Sequence, residues 1–313
     1  MSGIGLVLNP RAGANRRDPT VGARLAKQLG DRGVVAMPGS LEELSRTAED
    51  FKRQKIDVLG IAGGDGTNYV TLTHFFDAYD GEPLPTVAFL RGGTMNTVAN
   101  SLGLPGGRPE SLLDRLVTRY LDTPPLTVIE PRMIDVNGKL GFLWGMGVIP
   151  AFLREYYATG APSPWTAAKT LARGAASAFV HGEMIRRMTA PLEAEVTLAD
   201  GEVWPMRSYL CLGAGSIPDM GLGFKPYYLA GTKPGTFHMQ GMTCTALDCV
   251  LDLPRIHAAR PMRPGHAIDR LTTRATIRTH ERISYMIDGD LIEHDSDTLT
   301  VGAGPVVRIA TMN

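Results

Sequence analysis

The N-terminal part of the chain alternates short apolar runs with longer amphipathic stretches. The apolar runs end at glycine, asparagine or arginine, which is typical of buried strands. The stretches between them repeat apolar residues three and four positions apart, the spacing of one helix face. Repeated strand–helix units favour a parallel sheet with helices on both faces. The predicted strands cover residues 4–8, 34–36, 57–62 and 86–90.

Two of the predicted helices carry recognisable start signals. Asp18 followed by Pro19 places an N-cap residue before a proline at the first helical position. The run Ser40-Leu-Glu-Glu43 is a capping box. The helix after Pro19 is expected to bury Val21, Leu25 and Leu29. The helix after the capping box is expected to bury Leu41, Leu44, Ala48 and Phe51.

The pattern changes after Pro124-Pro125. Short alternating strands with Asn137-Gly138 and Asp200-Gly201 turns predict antiparallel hairpins. We therefore predict two domains, 1–124 and 125–313, the second an antiparallel β-sandwich with a helical insertion at about 151–188. A further helix is expected at 245–259. The predicted strands of this half are 133–136, 139–143, 193–198, 203–212, 236–242, 274–279, 282–287, 298–301 and 306–310.

Composition narrows the class of protein. The formal net charge is zero, which argues against a nucleic-acid partner. The three cysteines have no CxxC spacing, which argues against a disulfide framework and a zinc site. The N-terminus has no signal-peptide pattern, and no apolar stretch is long enough to span a bilayer. We expect a reducing, cytoplasmic compartment.

Two glycine-rich loops follow predicted strands that should end at the same sheet edge. The first is Gly63-Gly64-Asp65-Gly66-Thr67, and the second runs from Arg91 to Thr97. Glycines let backbone N–H groups approach a phosphate closely, at the sheet edge where α/β proteins bind ligands. An adjacent aspartate can hold a metal ion or accept a proton. Each loop alone could also be a tight turn with a capping residue.

These loops, with Asn9-Pro10 before them, resemble the diacylglycerol kinase catalytic domain family, which includes bacterial diacylglycerol kinases and sphingosine and ceramide kinases. The second loop continues as Gly93-Thr-Met-Asn-Thr-Val-Ala99, a motif more specific to lipid kinases than the first, which NAD kinases share. The resemblance extends into the second half. Residues 142–148 are similar to the family's first sandwich strand, and Asp288-Gly289-Asp290 resembles its late acidic turn.

The resemblance implies a Rossmann-like α/β nucleotide domain, a β-sandwich lipid domain, and a cleft between them for ATP, Mg²⁺ and a lipid alcohol. Asp65 would hold Mg²⁺ or orient the attacking hydroxyl. Asp290 would serve as the general base or a metal ligand, whereas Asp288 is expected to be structural. Arg91 is either a phosphate ligand or a solvated loop charge. The expected nucleotide-binding residues are Asn9, Arg11, Gly63, Gly64, Gly66, Thr67, Gly93, Thr94 and Asn96.

The sequence departs from the family pattern at three places. Val70 stands where the family often has Glu, and Asp290 is one methylene shorter than the usual Glu. Residues 231–235 replace an acidic segment that holds a structural Mg²⁺ in many bacterial members, and they include Lys233. Local alternatives also stay open, because Asn9-Pro10 and 288–290 could be simple turns and Thr94 an ordinary N-cap residue.

The helical insertion combines aromatic and basic residues. It could form a lid over a lipid tail or touch an anionic membrane surface, or it could be helices packed on the sandwich with a solvated basic face. Tyr227 and Phe224 follow a glycine-rich turn and could line the same groove or belong to the core. The candidate lipid-binding residues are Phe152, Tyr156, Trp165, Phe224 and Tyr227.

The predicted function is therefore an ATP-dependent lipid kinase that acts on a hydroxyl of diacylglycerol, ceramide or a sphingoid base. Its expected partners are this lipid and, transiently, the anionic inner face of a membrane. A homodimer is left open. The alternatives are a soluble NAD kinase-like enzyme, a catalytically weak lipid- or nucleotide-binding protein of the same fold, and a regulatory module.

Overall fold

The computed structural model describes residues 3–121, 126–160 and 162–312. The chain divides into two compact units, Met1–Pro131 with Val306–Asn313, and Arg132–Pro305. The boundary predicted at Pro124-Pro125 lies outside the described residues. The end of the chain belongs to the first unit, so the assignment of 306–313 to the second domain was wrong.

The first unit is an α/β domain. Its strands are β1 (Ile4–Leu8), β2 (Gly33–Ala36), β3 (Val58–Ala62), β4 (Thr86–Phe89), β5 (Val128–Ile129) and the last strand of the chain, β18 (Ile309–Ala310). Its helices are α1 (Gly13–Arg17), α2 (Val21–Leu29), α3 (Leu41–Gln54), α4 (Asp65–Tyr79), α5 (Thr97–Ser101) and α6 (Pro109–Leu121), with a 3₁₀ turn at Gly30–Arg32.

The sheet of this unit has the strand order β2-β1-β3-β4-β18-β5. The pairs β1/β2, β1/β3, β3/β4 and β4/β18 are parallel, as the repeated strand–helix pattern predicted, whereas β18/β5 is antiparallel. Ile309 of β18 is buried and pairs with Val87 and Ile129. The apolar pattern therefore found this strand, but the pattern carries no information about the sheet it joins.

The helices of the first unit bury one stripe each. In α2 the stripe includes Val21, Leu25 and Leu29, as predicted. The helix begins at Val21, two residues later than predicted, because the Asp18 carboxylate accepts hydrogen bonds from the backbone and hydroxyl of Thr20. In α3 the predicted cap forms, since Ser40 Oγ accepts from Glu43 N at 3.2 Å. Leu41 is 56 % exposed, so the buried stripe of α3 starts one turn later than predicted.

In its described residues, the second unit has two antiparallel sheets and four helices. Its strands are β6 (Arg132–Val136), β7 (Lys139–Gly141), β8 (Leu143–Met146), β9 (Leu192–Leu198), β10 (Val203–Tyr209), β11 (Cys211–Gly215), β12 (Phe237–Met242), β13 (Ala267–Thr272), β14 (Arg274–Thr279), β15 (Ile283–Ile287), β16 (Asp290–His294) and β17 (Thr298–Val306). Its helices are α7 (Val148–Tyr157), α8 (Pro164–Phe179), α9 (Glu183–Met188) and α10 (Ala246–His257).

The strand orders of these sheets are β10-β9-β14-β17-β6-β7 and β13-β12-β11-β8-β15-β16. The hairpins predicted at the Asn137-Gly138 and Asp200-Gly201 turns form as β6/β7 and β9/β10. Two strands predicted as continuous, 139–143 and 203–212, are each interrupted: Phe142 and Leu210 carry the chain from one sheet to the other. The helical insertion forms α7, α8 and α9. No helix in the described ranges is both long and apolar enough to cross a bilayer.

Candidate functional site

Three loops lie side by side at the carboxyl edge of the first sheet. Here the first loop is the segment after β1 that begins at Asn9 and leads into α1, the second is the loop at 63–67 after β3, and the third is the loop at 91–97 after β4. These strands are neighbours and parallel, so the three strand ends meet at one edge. Backbone hydrogen bonds extend the ladder into the loops, from Asn9 N to Ala62 O at 3.2 Å and from Leu90 N to Ile61 O at 2.8 Å. This is the edge at which open α/β sheets bind ligands.

The second and third loops touch through their glycine backbones. A Cβ atom on Gly93 would lie 2.3 Å from Gly64 Cα, a separation that no side chain tolerates. Gly13 lies close to the side chain of the third loop's Thr94, since a Cβ on Gly13 would lie 2.7 Å from Thr94 Oγ1. The glycines therefore let the loops close on each other, and they leave backbone rather than side chains at the surface of the site.

Hydrogen bonds between side chains join the first loop to the second. Asn9 Nδ2 donates to Thr67 Oγ1 at 2.9 Å, and Asn9 Oδ1 accepts from Arg11 N at 2.8 Å. Asn15 of α1, to which the sequence patterns gave no role, is buried and donates from Nδ2 to Asn9 O and Ala62 O, both at 2.9 Å. Its Oδ1 atom has no hydrogen-bond partner among the described residues. The signal in the sequence was a second asparagine, six residues after Asn9.

Asp65 is the first residue of α4 and holds the start of α5. Its Oδ2 atom accepts from Thr97 N at 2.8 Å and its Oδ1 atom from Val98 N at 3.0 Å. Burial raises the pKa of Asp65 to about 6, even though these two hydrogen bonds favour the ionised form. The Asp65 carboxylate therefore links the second loop to the end of the third by hydrogen bonds, and it is also an ionisable group between them.

Asn96 and Arg91 of the third loop are engaged within the first unit. Asn96 precedes α5 in the left-handed conformation, with φ +49°, and donates from Nδ2 to Gly93 O at 3.1 Å. Arg91 donates to Asn100 Oδ1 at 2.6 Å and to Leu104 O at 2.5 Å, and burial lowers the pKa of its guanidinium. Arg91 is neither the solvated loop charge that we considered nor free to turn toward a ligand without breaking these bonds.

The N-terminus of α4 also lies at this edge. Its N-cap residue is Gly64, which has no side chain to cap the first turn. No group of three or more His, Cys, Asp or Glu side chains in the described ranges is placed to bind a metal. Mg²⁺ commonly binds one or two carboxylates together with substrate phosphates, and Asp65 can supply one carboxylate.

The late acidic turn in the second unit separates its two aspartates by role. Asp288 is buried, has φ +44°, and accepts from Phe142 N at 3.1 Å and from Leu143 N at 2.9 Å. It is structural, as predicted. Gly289 also has positive φ, so the turn between β15 and β16 has the form of a tight hairpin. Asp290 is exposed at the first position of β16.

The five candidate lipid-binding residues do not share one environment. Tyr227 is in the core, where Gly213 and Gly215 make room for its ring, and its hydroxyl donates to Trp144 O at 3.3 Å. Tyr156 is also buried and stacks on the half-buried Phe152, with ring centroids 6.5 Å apart. Phe224 packs edge-on against His257, with ring centroids 5.5 Å apart. Trp165 differs from all of these, because 78 % of it is exposed.

Comparisons with known proteins agree with this architecture. Residues 4–126 match the model of the diacylglycerol kinase catalytic domain. A structure described as a diacylglycerol kinase from Bacillus anthracis is 16 % identical, with a TM-score of 0.64, and covers 99 % of this chain and 97 % of that chain. A second structure from the same organism, provisionally described as a diacylglycerol kinase, is 17 % identical, with a TM-score of 0.69 and the same coverage. The comparison with curated proteins found no match.

The structural likeness extends over both units, whereas the family match ends close to the predicted domain boundary. The two units therefore have the fold of these kinase structures, and the loops of the candidate site lie within the matched residues. The match to the diacylglycerol kinase catalytic domain therefore covers residues 4–126 of this chain.

Proposed function

We propose that this protein is an ATP-dependent lipid kinase that transfers the γ-phosphate to a hydroxyl group of a lipid alcohol. One observation carries the proposal. The backbones of Gly64 and Gly93 are in contact at the carboxyl edge of the first sheet, beside the open N-terminus of α4, inside a matched kinase domain. Backbone donors and a helix N-terminus at one place suit the phosphates of a nucleotide.

Phosphoryl transfer asks a protein for positioning and for stabilisation of charge, more than for covalent chemistry. The first turn of α4 would donate N–H groups to phosphate oxygens, and the Asn9–Thr67 hydrogen bond would hold the first loop against the second. Asp65 in its ionised form would hold Mg²⁺, which supplies charge neutralisation at the phosphates. Its hydrogen bonds to Thr97 and Val98 would fix the carboxylate in place.

Diacylglycerol is the first acceptor to test, with ceramide and sphingoid bases next. The support is the family match and the description of the Bacillus anthracis structures. Asp290 would accept the proton of the attacking hydroxyl, a role that comes from the resemblance to the family. Its exposure is compatible with contact to a substrate.

The test is incubation of the full chain with Mg²⁺, labelled ATP and separate lipid alcohols, with NAD as a further acceptor. We expect labelled lipid with at least one long-chain alcohol and none with NAD. Labelled NADP without labelled lipid would make the NAD kinase alternative correct. No labelled product from a folded protein that binds lipid would favour the catalytically inactive alternative.

Asp65→Asn tests the site within the same assay. The variant keeps one acceptor oxygen for the N–H groups of α5 but removes the negative charge, so we expect kcat/KM to fall at least about 100-fold. Asp77→Asn is the matched control, because Asp77 is an exposed aspartate near the other end of α4. Equal activity of the two variants would contradict the role of Asp65. Circular dichroism of both variants shows whether α5 and the fold are retained.

A further inference from the structure

Helix α8 in the second unit has two distinct faces. One face is buried and made of small residues, Ala167, Thr170, Gly174 and Ala178. The opposite face is exposed and consists of Trp165, Lys169, Ala172, Arg173, Ala176 and Phe179, continued by Val180. At 100° per residue these exposed positions lie within an arc of roughly 120°. We call this set of seven residues the α8 outer face.

The α8 outer face exposes large apolar side chains. Trp165 is 78 % exposed, Val180 75 % and Phe179 57 %. Among the large hydrophobic residues of the described ranges, these three and Leu121 have the largest exposed fractions. Trp165 lies at one end of the helix and Phe179 with Val180 at the other, about 21 Å away. A solvated helix face normally carries mixed charges instead. Such exposed apolar surface usually marks an interaction site.

The only charges of α8 are positive. Between its aromatic ends the helix carries Lys169 and Arg173, and Pro164–Phe179 contains no Asp or Glu. Neither cation forms an ion pair within the described part of the chain. On the neighbouring α9, by contrast, Arg187 pairs with Glu155 at 3.3 Å and with Glu183 at 3.6 Å. Because the whole chain has zero net charge, the positive charge of the α8 outer face is a local feature.

We propose that the α8 outer face docks on the surface of a bilayer that contains anionic phospholipids. Lys169 and Arg173 face the lipid phosphates, which complement their charge. Trp165, Phe179 and Val180 enter the headgroup region, where aromatic and apolar side chains of interfacial helices reside. The apolar anchors at both ends hold α8 parallel to the membrane plane. This inference rests on the proposed function, because a lipid kinase meets its acceptor at a membrane.

The primary test is sedimentation of the full chain with vesicles, without nucleotide. The probes are vesicles of phosphatidylglycerol mixed with phosphatidylcholine, and vesicles of phosphatidylcholine alone. We expect binding to the first kind, weakened by added salt, and much weaker binding to the second. Equal binding to both, or no binding to either, would overturn the proposal.

Tryptophan fluorescence identifies the face that binds. Trp144 and Trp204 are buried, so Trp165 is the one tryptophan in contact with solvent. We expect the emission to shift to shorter wavelength when anionic vesicles are added, and to be quenched by brominated lipid. Binding without either change would show that another surface meets the membrane.

Charge reversal separates the α8 outer face from the general charge of the protein. We expect Lys169→Glu with Arg173→Glu to lower the partition coefficient for anionic vesicles at least about 30-fold, since each cation near such a surface contributes roughly fivefold. Lys139→Glu with Arg207→Glu changes the net charge equally at exposed positions of β7 and β10. We expect the control pair to bind within about twofold of the original chain. Equal losses in both pairs would overturn the proposal.

Two further measurements separate membrane docking from dimerisation, and a failure of docking from a failure of the kinase proposal. If Trp165→Ala converts a dimer to a monomer and leaves vesicle binding unchanged, the α8 outer face is a contact between copies of this chain. Activity on short-chain diacylglycerol dispersed in detergent does not need a bilayer. We expect the Lys169/Arg173 variant to keep that activity. If the original chain does not bind vesicles but is active on the dispersed substrate, the docking proposal is overturned and the kinase proposal is not.

Discussion

The carboxyl edge of the first sheet and the aromatic insertion of the second unit differ in what builds them. At the sheet edge, backbones meet: Gly64 touches Gly93, and Asp65 holds the first N–H groups of α5. In the insertion, the role of each aromatic residue depends on where its side chain lies. Tyr156 is buried whereas Trp165 projects into solvent, although both are aromatic residues of neighbouring helices.

This difference explains why the two regions were predicted unequally well. A glycine at a close contact cannot be replaced without a clash, so a site made of backbone leaves a motif in the sequence. An aromatic side chain fits a core, a lipid groove or a membrane surface equally well. The role of such a side chain therefore depends on whether its helix directs it into the core or toward solvent.

The largest effect that tests this comparison is expected from Gly93→Ala. Its new Cβ atom would lie 2.3 Å from Gly64 Cα, so the two loops must separate. We expect kcat/KM for the kinase reaction to fall at least about 100-fold, since misplacement by about 1 Å is enough for such a loss. Gly106→Ala is the control, because a Cβ there meets no atom within 4 Å. If both variants stay active, the contact between the loops is not the basis of the site.

The second prediction concerns stability in the acidic turn. Asp288→Ala removes the acceptor for two buried N–H groups, those of Phe142 and Leu143. We expect the free energy of unfolding to fall by about 3 kcal/mol, measured by denaturant titration. Asp290→Ala is the neighbouring control at an exposed position, with an expected change below about 1 kcal/mol. If Asp290→Ala were the more destabilising of the two, the separation of their roles would be wrong.

The third prediction tests a charged anchor of the second unit. Asp252 is fully buried and accepts from Arg263 Nε at 2.8 Å and His266 Nδ1 at 2.7 Å. Burial alone would raise the pKa of Asp252, but these hydrogen bonds lower it below its usual value. A lowered carboxyl pKa contributes stability above the unfolded pKa near 4, and this stability is lost as the pH falls through the folded-state pKa.

Asp252→Asn should therefore cost about 2 kcal/mol of unfolding free energy at pH 7. The difference between the two proteins should shrink as the pH falls below about 4. Urea denaturation at several pH values measures both quantities. A difference that is constant from neutral to acidic pH would show that the Asp252 charge contributes nothing to stability.

The smallest effect is expected at the start of α3. Ser40→Ala removes the hydrogen bond to Glu43 N and should cost about 1 kcal/mol of unfolding free energy. Leu41→Ala, at the exposed next residue, should change that free energy by less than about 0.5 kcal/mol. Thermal unfolding of the two variants compares them. A larger loss in Leu41→Ala would restore the buried stripe that we predicted from the sequence.

Much of the first unit was determined by the sequence alone. The order of strands and helices, the capping box at Ser40 and the two glycine-rich loops follow from local rules, in which neighbouring residues decide the outcome. The convergence of the loops also follows, because parallel neighbouring strands end at one edge. The family resemblance rested on these same motifs, and the match over residues 4–126 confirmed it.

Only the tertiary structure decided the rest. It placed β18 beside β4, broke two predicted strands at Phe142 and Leu210, and revealed Asn15 as the link between the first two loops. It also turned Trp165 to solvent and Tyr227 into the core. Each of these outcomes depends on contacts between residues far apart in the chain. Hydrophobic periodicity shows that a side chain is apolar, but it does not show which residue that side chain contacts.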